Sequence, residues 1–316
     1  MNFLKALSEI RNPILDAIMQ FFTTFGEESL FILIALAFFW CIDKKRGYFL
    51  LFTGFAGIAI NQILKMVFRI PRPWVLDPEF EIVESAREQA TGYSFPSGHT
   101  QVAASLYGGV ARSAKEAWEW IAGLALTLLV AFSRMYLGVH TPKDVLVSLA
   151  IGAVLVLALF PIVDRMLDRP AVILTVLGVM ALVAVGNLIY LTSFPFPADV
   201  DEANYADALQ TGWKLLGMIV GMLIVYPIDH FKLKFETEAV WWAQLCKLLL
   251  GFGVVMAVRI ALKSPLNALL GAEIGGGVRY LLMVITAGAV IPAFFRFLPQ
   301  APSKKRSKRK AKKHRR

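Results

Sequence analysis

The stretch Ser133–Asp144 reads S-R-M-Y-L-G-V-H-T-P-K-D and sets a cation, an imidazole and a carboxylate among apolar neighbours. Charged groups in such a setting must be paired or used. Asp144 follows His140 by four residues, and Thr141-Pro142 is a suitable helix start, so the carboxylate can reach back to the ring. A carboxylate on one ring nitrogen fixes the tautomer and leaves the other nitrogen a better base or nucleophile. The bland alternative is a loop cap beside a satisfied histidine.

Two further segments carry matching chemistry. Lys65 is followed by Arg72-Pro73, and Pro96-Ser97-Gly98-His99 precedes an apolar run. Only four histidines occur in the chain, and His99 and His140 both fall in these segments. Singly, Lys65 and Arg72 read as side chains reaching for lipid headgroups, and Pro-Ser-Gly-His as a capped helix start. Together they suit attack on a phosphate. Lys65, Arg72 and Arg134 match the charge on phosphoryl oxygens, the two arginines as bidentate donors. Backbone N–H groups of Ser97 and Gly98 at a helix N-terminus add donors toward the same anion. One neutral imidazole can act as nucleophile and the other as proton donor. Nothing in this chemistry calls for a metal or cofactor, and no carboxylate or Cys/His cluster with ligand spacing is present in the sequence.

These segments need a scaffold, and the composition names it. The chain has 316 residues, of which 57% are hydrophobic and 18% charged, with mean hydropathy +0.60. A soluble domain has about 45–50% apolar and about 25% charged residues. The expectation is an all-α, polytopic transmembrane helical bundle. About nine spans are expected: 29–42, 47–68, 99–112, 118–132, 144–163, 171–191, 212–228, 239–261 and 278–298. Residues 1–25 read as an interfacial N-terminal helix, 26–165 as a catalytic core, 166–299 as a C-terminal transmembrane extension and 300–316 as a basic disordered tail.

Ten of the 33 Lys and Arg residues lie in 304–316, leaving 23 basic and 23 acidic residues elsewhere. The excess is a tail and not a nucleic-acid-binding face; its expected partner is anionic lipid. Lys44-Lys45-Arg46, Arg112/Lys115, Arg165/Arg169, Lys232/Lys234 and the tail fall on one side of the expected spans. The loops 69–96, 133–143, 192–211 (acidic) and 262–277 fall on the other. The side rich in Lys and Arg is expected to be cytoplasmic, which makes the phosphate-binding segments extracytoplasmic. Cys41 and Cys246 read as packing residues, and no N-x-S/T sequon offers a lumenal glycosylation site.

Lys65-x6-Arg72-Pro73, Pro96-Ser97-Gly98-His99 and Ser133-Arg134-x5-His140-x3-Asp144 resemble the three motifs of the type 2 phosphatidic acid phosphatase superfamily in order, spacing and residue type. The resemblance covers about residues 50–165. It implies that His140 forms a phosphohistidine, that Asp144 orients it, and that His99 protonates the leaving alcohol and later activates water. Lys65, Arg72, Arg134, Ser97 and Gly98 would hold the phosphoryl group, without a metal. The substrate would be a lipid phosphate or diphosphate, such as undecaprenyl diphosphate, phosphatidate, phosphatidylglycerophosphate or a sphingoid phosphate. An outside N-terminus, nine spans and an inside C-terminus resemble the glucose-6-phosphatase and sphingosine-1-phosphate phosphatase branches. A bacterial plasma membrane is the expected location.

Two rivals share the same residues. A lipid-phosphate transporter or scramblase would use the cations without cleavage, and the extra C-terminal spans and Lys247 suit it. A vanadate-dependent haloperoxidase has a similar site, but that group is soluble. Gly275-Gly276-Gly277 reads as a flexible turn before the last span, and Trp118, Trp120, Trp241 and Trp242 as interface anchors. The oligomeric state is not legible in the sequence.

Overall fold

A computed structural model describes residues 1–197 and 200–299. Asp199 of the acidic loop and the basic tail 300–316 lie outside the described residues. The described chain is helical, with no strands. Fourteen α-helices follow in order. They are α1 Asn2–Glu9, α2 Pro13–Thr24, α3 Glu28–Ala37, α4 Lys44–Phe68, α5 Pro73–Leu76, α6 Gly98–Arg112 and α7 Ala117–Tyr136, then α8 Pro142–Met166, α9 Pro170–Ser193, α10 Glu202–Pro227, α11 Trp241–Ala261, α12 Lys263–Leu270, α13 Ala272–Ile285 and α14 Ile291–Phe294.

Seven of the described helical segments are long and apolar enough to cross a membrane, or eight if the bent pair of α2 and Glu28–Ile42 counts as one. The chain is an integral membrane protein. The expected count of about nine is not reached for two reasons. The expected first span is one arm of a pair bent by 52°. The expected third span, α6, has only 15 residues and is enclosed by its neighbours.

Helix α6 is the centre of the core, packed against α4, α7 and α8. Small residues permit this. A Cβ on Gly152 of α8 would lie 2.4 Å from Ala104 Cβ, and one on Gly123 of α7 would lie 2.5 Å from Tyr107 O. Close approach of small faces is the usual means of packing helices in lipid, where apolar contact alone gives no driving force. Helix α4 is capped by Asp43, whose carboxylate accepts from Lys45 N (3.0 Å) and Arg46 N (3.3 Å). It ends at Arg69 in the left-handed region (φ 47°), and prolines at 71 and 73 keep it from resuming.

The basic end of the bundle is tied by ion pairs. Arg46 forks onto Glu119 (3.1 and 3.2 Å), Lys115 meets Asp43 (2.6 Å), and Lys44 meets the buried Asp229 (2.9 Å), which also accepts from Tyr48 Oη (2.9 Å). The Asp229 contacts join the core to the C-terminal helices. Trp40 Nε1 donates to Ala287 O (2.9 Å), between two short π-helical turns, Phe38–Ile42 and Thr286–Val290, and adds a second tie.

The segment 262–277, expected as a loop with a flexible glycine turn, is helical. Gly275, Gly276 and Gly277 are buried inside α13, which packs along α10. A Cβ on Gly217 of α10 would lie 2.0 Å from Gly277 O, and one on Gly277 would lie 2.9 Å from Trp213 O. These glycines serve backbone-to-backbone helix contact and not a turn. Lys247 is buried, with no carboxylate partner among the described residues: its Nζ donates to Thr237 O (3.1 Å) and Glu236 O (3.4 Å) beside the Phe295 ring. Cys41 and Cys246 are free and half-buried.

Candidate active site

The site lies at the end of the bundle opposite the ion pairs, where α4 ends, α6 and α8 begin and α7 turns over. Helix α8 starts with a capping box. Thr141 Oγ1 accepts from Asp144 N (3.4 Å), and Asp144 Oδ2 accepts from Thr141 N (2.7 Å), with Pro142 at the first helical position. The same carboxylate therefore caps the helix and faces the His140 ring. Helix α6 starts at Ser97, whose hydroxyl accepts from Thr100 Oγ1 (2.9 Å) and Thr100 N (3.4 Å). Its preceding peptide, Phe95–Pro96, is cis.

His140 is buried, with Arg72 Nη1 2.8 Å from its Nε2. A guanidinium only donates, so Nε2 accepts and the ring proton is on Nδ1. The Nδ1 side holds Asp144 Oδ2 at 3.6 Å and Ser94 Oγ at 3.5 Å, and Ser94 Oγ donates to Asp144 Oδ2 (2.7 Å). The expected direct carboxylate–imidazole hydrogen bond is thus replaced by a triangle with Ser94 at its third corner. Burial, and then the charges of Arg72, Arg134 and Lys65, hold the His140 imidazole well below the usual histidine range.

The three cations converge on the same spot, Lys65 and Arg72 pinned by backbone carbonyls and Arg134 by a side-chain hydroxyl. Arg72 donates through Nη2 to Thr91 O (2.5 Å), Nε to Gly92 O (3.0 Å) and Nη1 to Val139 O (3.1 Å). Lys65 Nζ donates to Tyr93 O. Arg134 is fully buried, and Nη1 donates to Thr23 Oγ1 (2.6 Å), while its Nε and Nη2 have no acceptor among the described residues. A buried guanidinium with two unpartnered nitrogens calls for an anion. His99 lies within the field of Arg134, His140, Arg72 and Lys65, and its buried Nε2 is likewise unpartnered among the described residues.

At the α6 N-terminus the structure separates two expected donors. Ser97 N already donates to Asp144 O (3.2 Å), and Ser97 O accepts from Ser148 Oγ (2.9 Å), so Ser97 staples α6 to α8. The amides of Gly98 and His99 have no acceptor among the described residues, and a Cβ at Gly98 would find open space up to Asn61 Oδ1 at 4.0 Å. Gly98 and its neighbour are therefore the amides that can face an anion.

Several contributing residues are not legible in the motifs. Ser94 sits in a loop, and only its distance to Asp144 identifies it. Thr23 comes from the last turn of α2 and Gly26 from the bend before α3. Thr23 is buried against Arg134, and a Cβ on Gly26 would lie 2.8 Å from His99 Cβ. Arg11 braces the loop after α7 through Tyr136 O (3.0 Å) and Glu81 O (2.7 Å). Asp207, on α10, reaches the rim: a Cβ on Gly92 (φ 69°) would lie 3.2 Å from its Oδ2 and 3.5 Å from Lys65 Nζ.

The arrangement of imidazole, buried cations and helix-end amides suits in-line displacement at phosphorus. Comparison with known proteins agrees. The PAP2 superfamily profile matches residues 46–167, and the profile described as PAP2 superfamily phosphatase, transmembrane extension, matches residues 213–303. The chain is 30% identical over 168 residues to undecaprenyl-diphosphatase BcrC of Bacillus subtilis, an alignment covering 52% of this chain and 82% of that protein. It is 30% identical over 142 residues to an undecaprenyl-diphosphatase of Sulfolobus acidocaldarius, covering 44% and 66% of the two. It is 26% identical over 158 residues to human sphingosine-1-phosphate phosphatase 2, covering 48% and 39%. No solved structure gives a significant match. With the motifs, the membrane helices and both profiles in agreement, the chain belongs to the PAP2 superfamily, as an integral membrane phosphatase carrying that family's transmembrane extension.

Proposed function

We propose that the protein hydrolyses a lipid phosphate or diphosphate at the membrane surface through a phosphohistidine on His140. The observation that carries this is the polarity of the His140 ring: Nε2 faces Arg72 at 2.8 Å, and Nδ1 faces the Ser94–Asp144 pair. The nitrogen that carries the lone pair thus faces Arg72, one of the cations that would gather an anion.

In the first step Nε2 attacks phosphorus in line with the ester oxygen. The N–P bond forms, the P–O bond breaks, and His99 gives its proton to the leaving oxygen. Asp144, with Ser94, balances the charge on the Nδ1–H side. In the second step His99 takes a proton from water, and hydroxide displaces His140 Nε2, releasing phosphate. Lys65, Arg72, Arg134 and the amides of Gly98 and His99 hold the equatorial oxygens throughout. Ser97 contributes by fixing the start of α6 against α8. Residues 26–165 supply this machinery, with 166–299 as the extension. The relatives' printed substrates, undecaprenyl diphosphate and sphingosine-1-phosphate, are both phosphorylated lipids and support the same class here.

The Lys/Arg-rich helix ends lie opposite the site, which supports an extracytoplasmic site and cytoplasmic basic end. Together with the bacterial relative, this supports residence in a bacterial plasma membrane. The test is phosphate release from purified protein across a panel of lipid phosphates and diphosphates, with His140→Ala as blank. Turnover of at least one lipid, unaffected by EDTA and lost in the variant, is expected. Vesicles that move labelled lipid phosphate without releasing phosphate would replace hydrolysis with a transport function.

A further inference from the structure

Next to His99 a cavity of about 580 Å³ opens between the core and the extension. Voids much larger than a water molecule are few in a packed interior, and ligand sites measure about 300–1,000 Å³. Its site end is polar and includes Asn61, Gly98 and His99. Beyond that the walls turn apolar. Phe55 and Ile58 of α4, Val102 of α6 and Met218 of α10 line the middle, and Leu51, Met222 and Val255 the far end.

The cavity is long and follows the helices. From Asn61 to Leu51 along α4 is about 15 Å, and from Thr211 to Val225 along α10 about 21 Å, at about 1.5 Å per residue. About a third of its lining residues belong to α10, α11 and α13, which the catalytic motifs do not need. At the mouth, Glu28 holds the two sides together: its carboxylate accepts from Tyr280 Oη (2.6 Å) and lies 3.5 Å from Arg259 Nη2.

We propose that this cavity takes the hydrocarbon tail of the lipid phosphate, as a single chain, and that the extension makes the phosphatase select its substrate by tail length. This rests on the phosphatase function above. Three observations choose this occupant. The cavity begins at His99, where the leaving alcohol must be protonated, so the carbon next to the ester oxygen stands at its entrance. Its far walls, Phe55, Ile58, Leu51, Met222 and Val255, are apolar, and the charged lining residues Glu28, Lys214 and Arg259 gather around Tyr280. Its volume and depth suit one chain threaded along the helices. Burial of successive methylenes in an apolar pocket then discriminates tails, at about tenfold or more for each well-packed group.

The experiment uses the full wild-type chain in lipid nanodiscs and two single-chain alkyl phosphonates, one long and one short, each with a diazirine on the terminal carbon. The phosphonates carry no cleavable ester. On irradiation the long probe should label Met222, Val225 or Val255, and the short probe Ile58, Val102 or Met218. Labelling of bilayer-facing residues such as Leu146, Val154 and Leu157 on α8, or no dependence on probe length, would overturn the proposal. As a second readout, Met222→Trp should lower the long-to-short ratio of kcat/KM by at least about tenfold; an unchanged ratio contradicts it. Loss of the phosphatase function shows up separately, as wild-type turnover equal to that of His140→Ala, whatever the label reports.

Discussion

Arg72 Nη1 and His140 Nε2 are 2.8 Å apart, in a site where both side chains are buried. The contact makes the two ring nitrogens unequal. It also places a fixed positive charge against the imidazole and so resists its protonation, as do Arg134 and Lys65.

The titration of His140 follows with a definite sign. Burial and the three cations push its folded value below 6.5, so the native ring stays neutral as pH falls through 6.5 while the unfolded chain takes up a proton. Stability contributed by this site is present above pH 6.5 and declines below it. Arg72→Gln should move the midpoint back toward 6.5, read by NMR of the labelled ring in the free protein, and should slow turnover by about 10²–10³-fold. An unchanged midpoint would contradict the assignment.

Ser94→Ala removes the hydroxyl that bridges Asp144 and His140. Loss of one hydrogen bond to a charged group, about 1.5–3 kcal/mol, should lower kcat by roughly 10–100-fold with KM little changed. Asp144→Asn should cost more, because it also weakens the capping box that starts α8. Steady-state kinetics of the two variants, with circular dichroism to confirm the helix content, check the order.

Much of this was legible in the sequence, and the reason is local. Arg134, His140 and Asp144 are joined by one turn, and Ser97–His99 by one helix start, so spacing alone brings them close. Lys65 and Arg72 flank one helix end in the same way. What the sequence left dark depends on contacts distant in the chain. Thr23 meets Arg134, and Gly26 meets His99, only because α2 folds back on α7. The expected count of about nine spans is not reached for a related reason: α6 is apolar but short and enclosed by its neighbours. Gly275–Gly277 read as a turn because glycine serves both turns and tight helix contact, and only the partner at Gly217 decides between them.

The glycines give a contrast within one residue type. Gly26→Ala should impair turnover by pushing on His99, since the new methyl group falls 2.8 Å from its Cβ. Gly217→Ala should destabilise the protein, since the methyl group would fall 2.0 Å from Gly277 O. Gly178→Ala, in helix α9 with nothing within 4 Å, should raise stability by about 0.5–1 kcal/mol and leave turnover alone. Thermal unfolding in detergent and phosphate-release assays separate the three outcomes.

Asp207 tests whether the extension acts on the site. Its carboxylate stands beside Lys65 and acts on Arg72, which offsets part of the positive charge there. Asp207→Asn should tighten product phosphate, read as a lower inhibition constant. Unchanged inhibition by phosphate would place Asp207 outside the anion's reach.

The phosphohistidine itself is the most direct test. With a lipid phosphate carrying ³²P in its phosphoryl group and the wild-type protein under single-turnover conditions, rapid alkaline quenching should trap acid-labile, alkali-stable label on the peptide containing His140. The label should be absent in His140→Ala. No covalent label under single-turnover conditions, or label retained in His140→Ala, would contradict nucleophilic attack by His140.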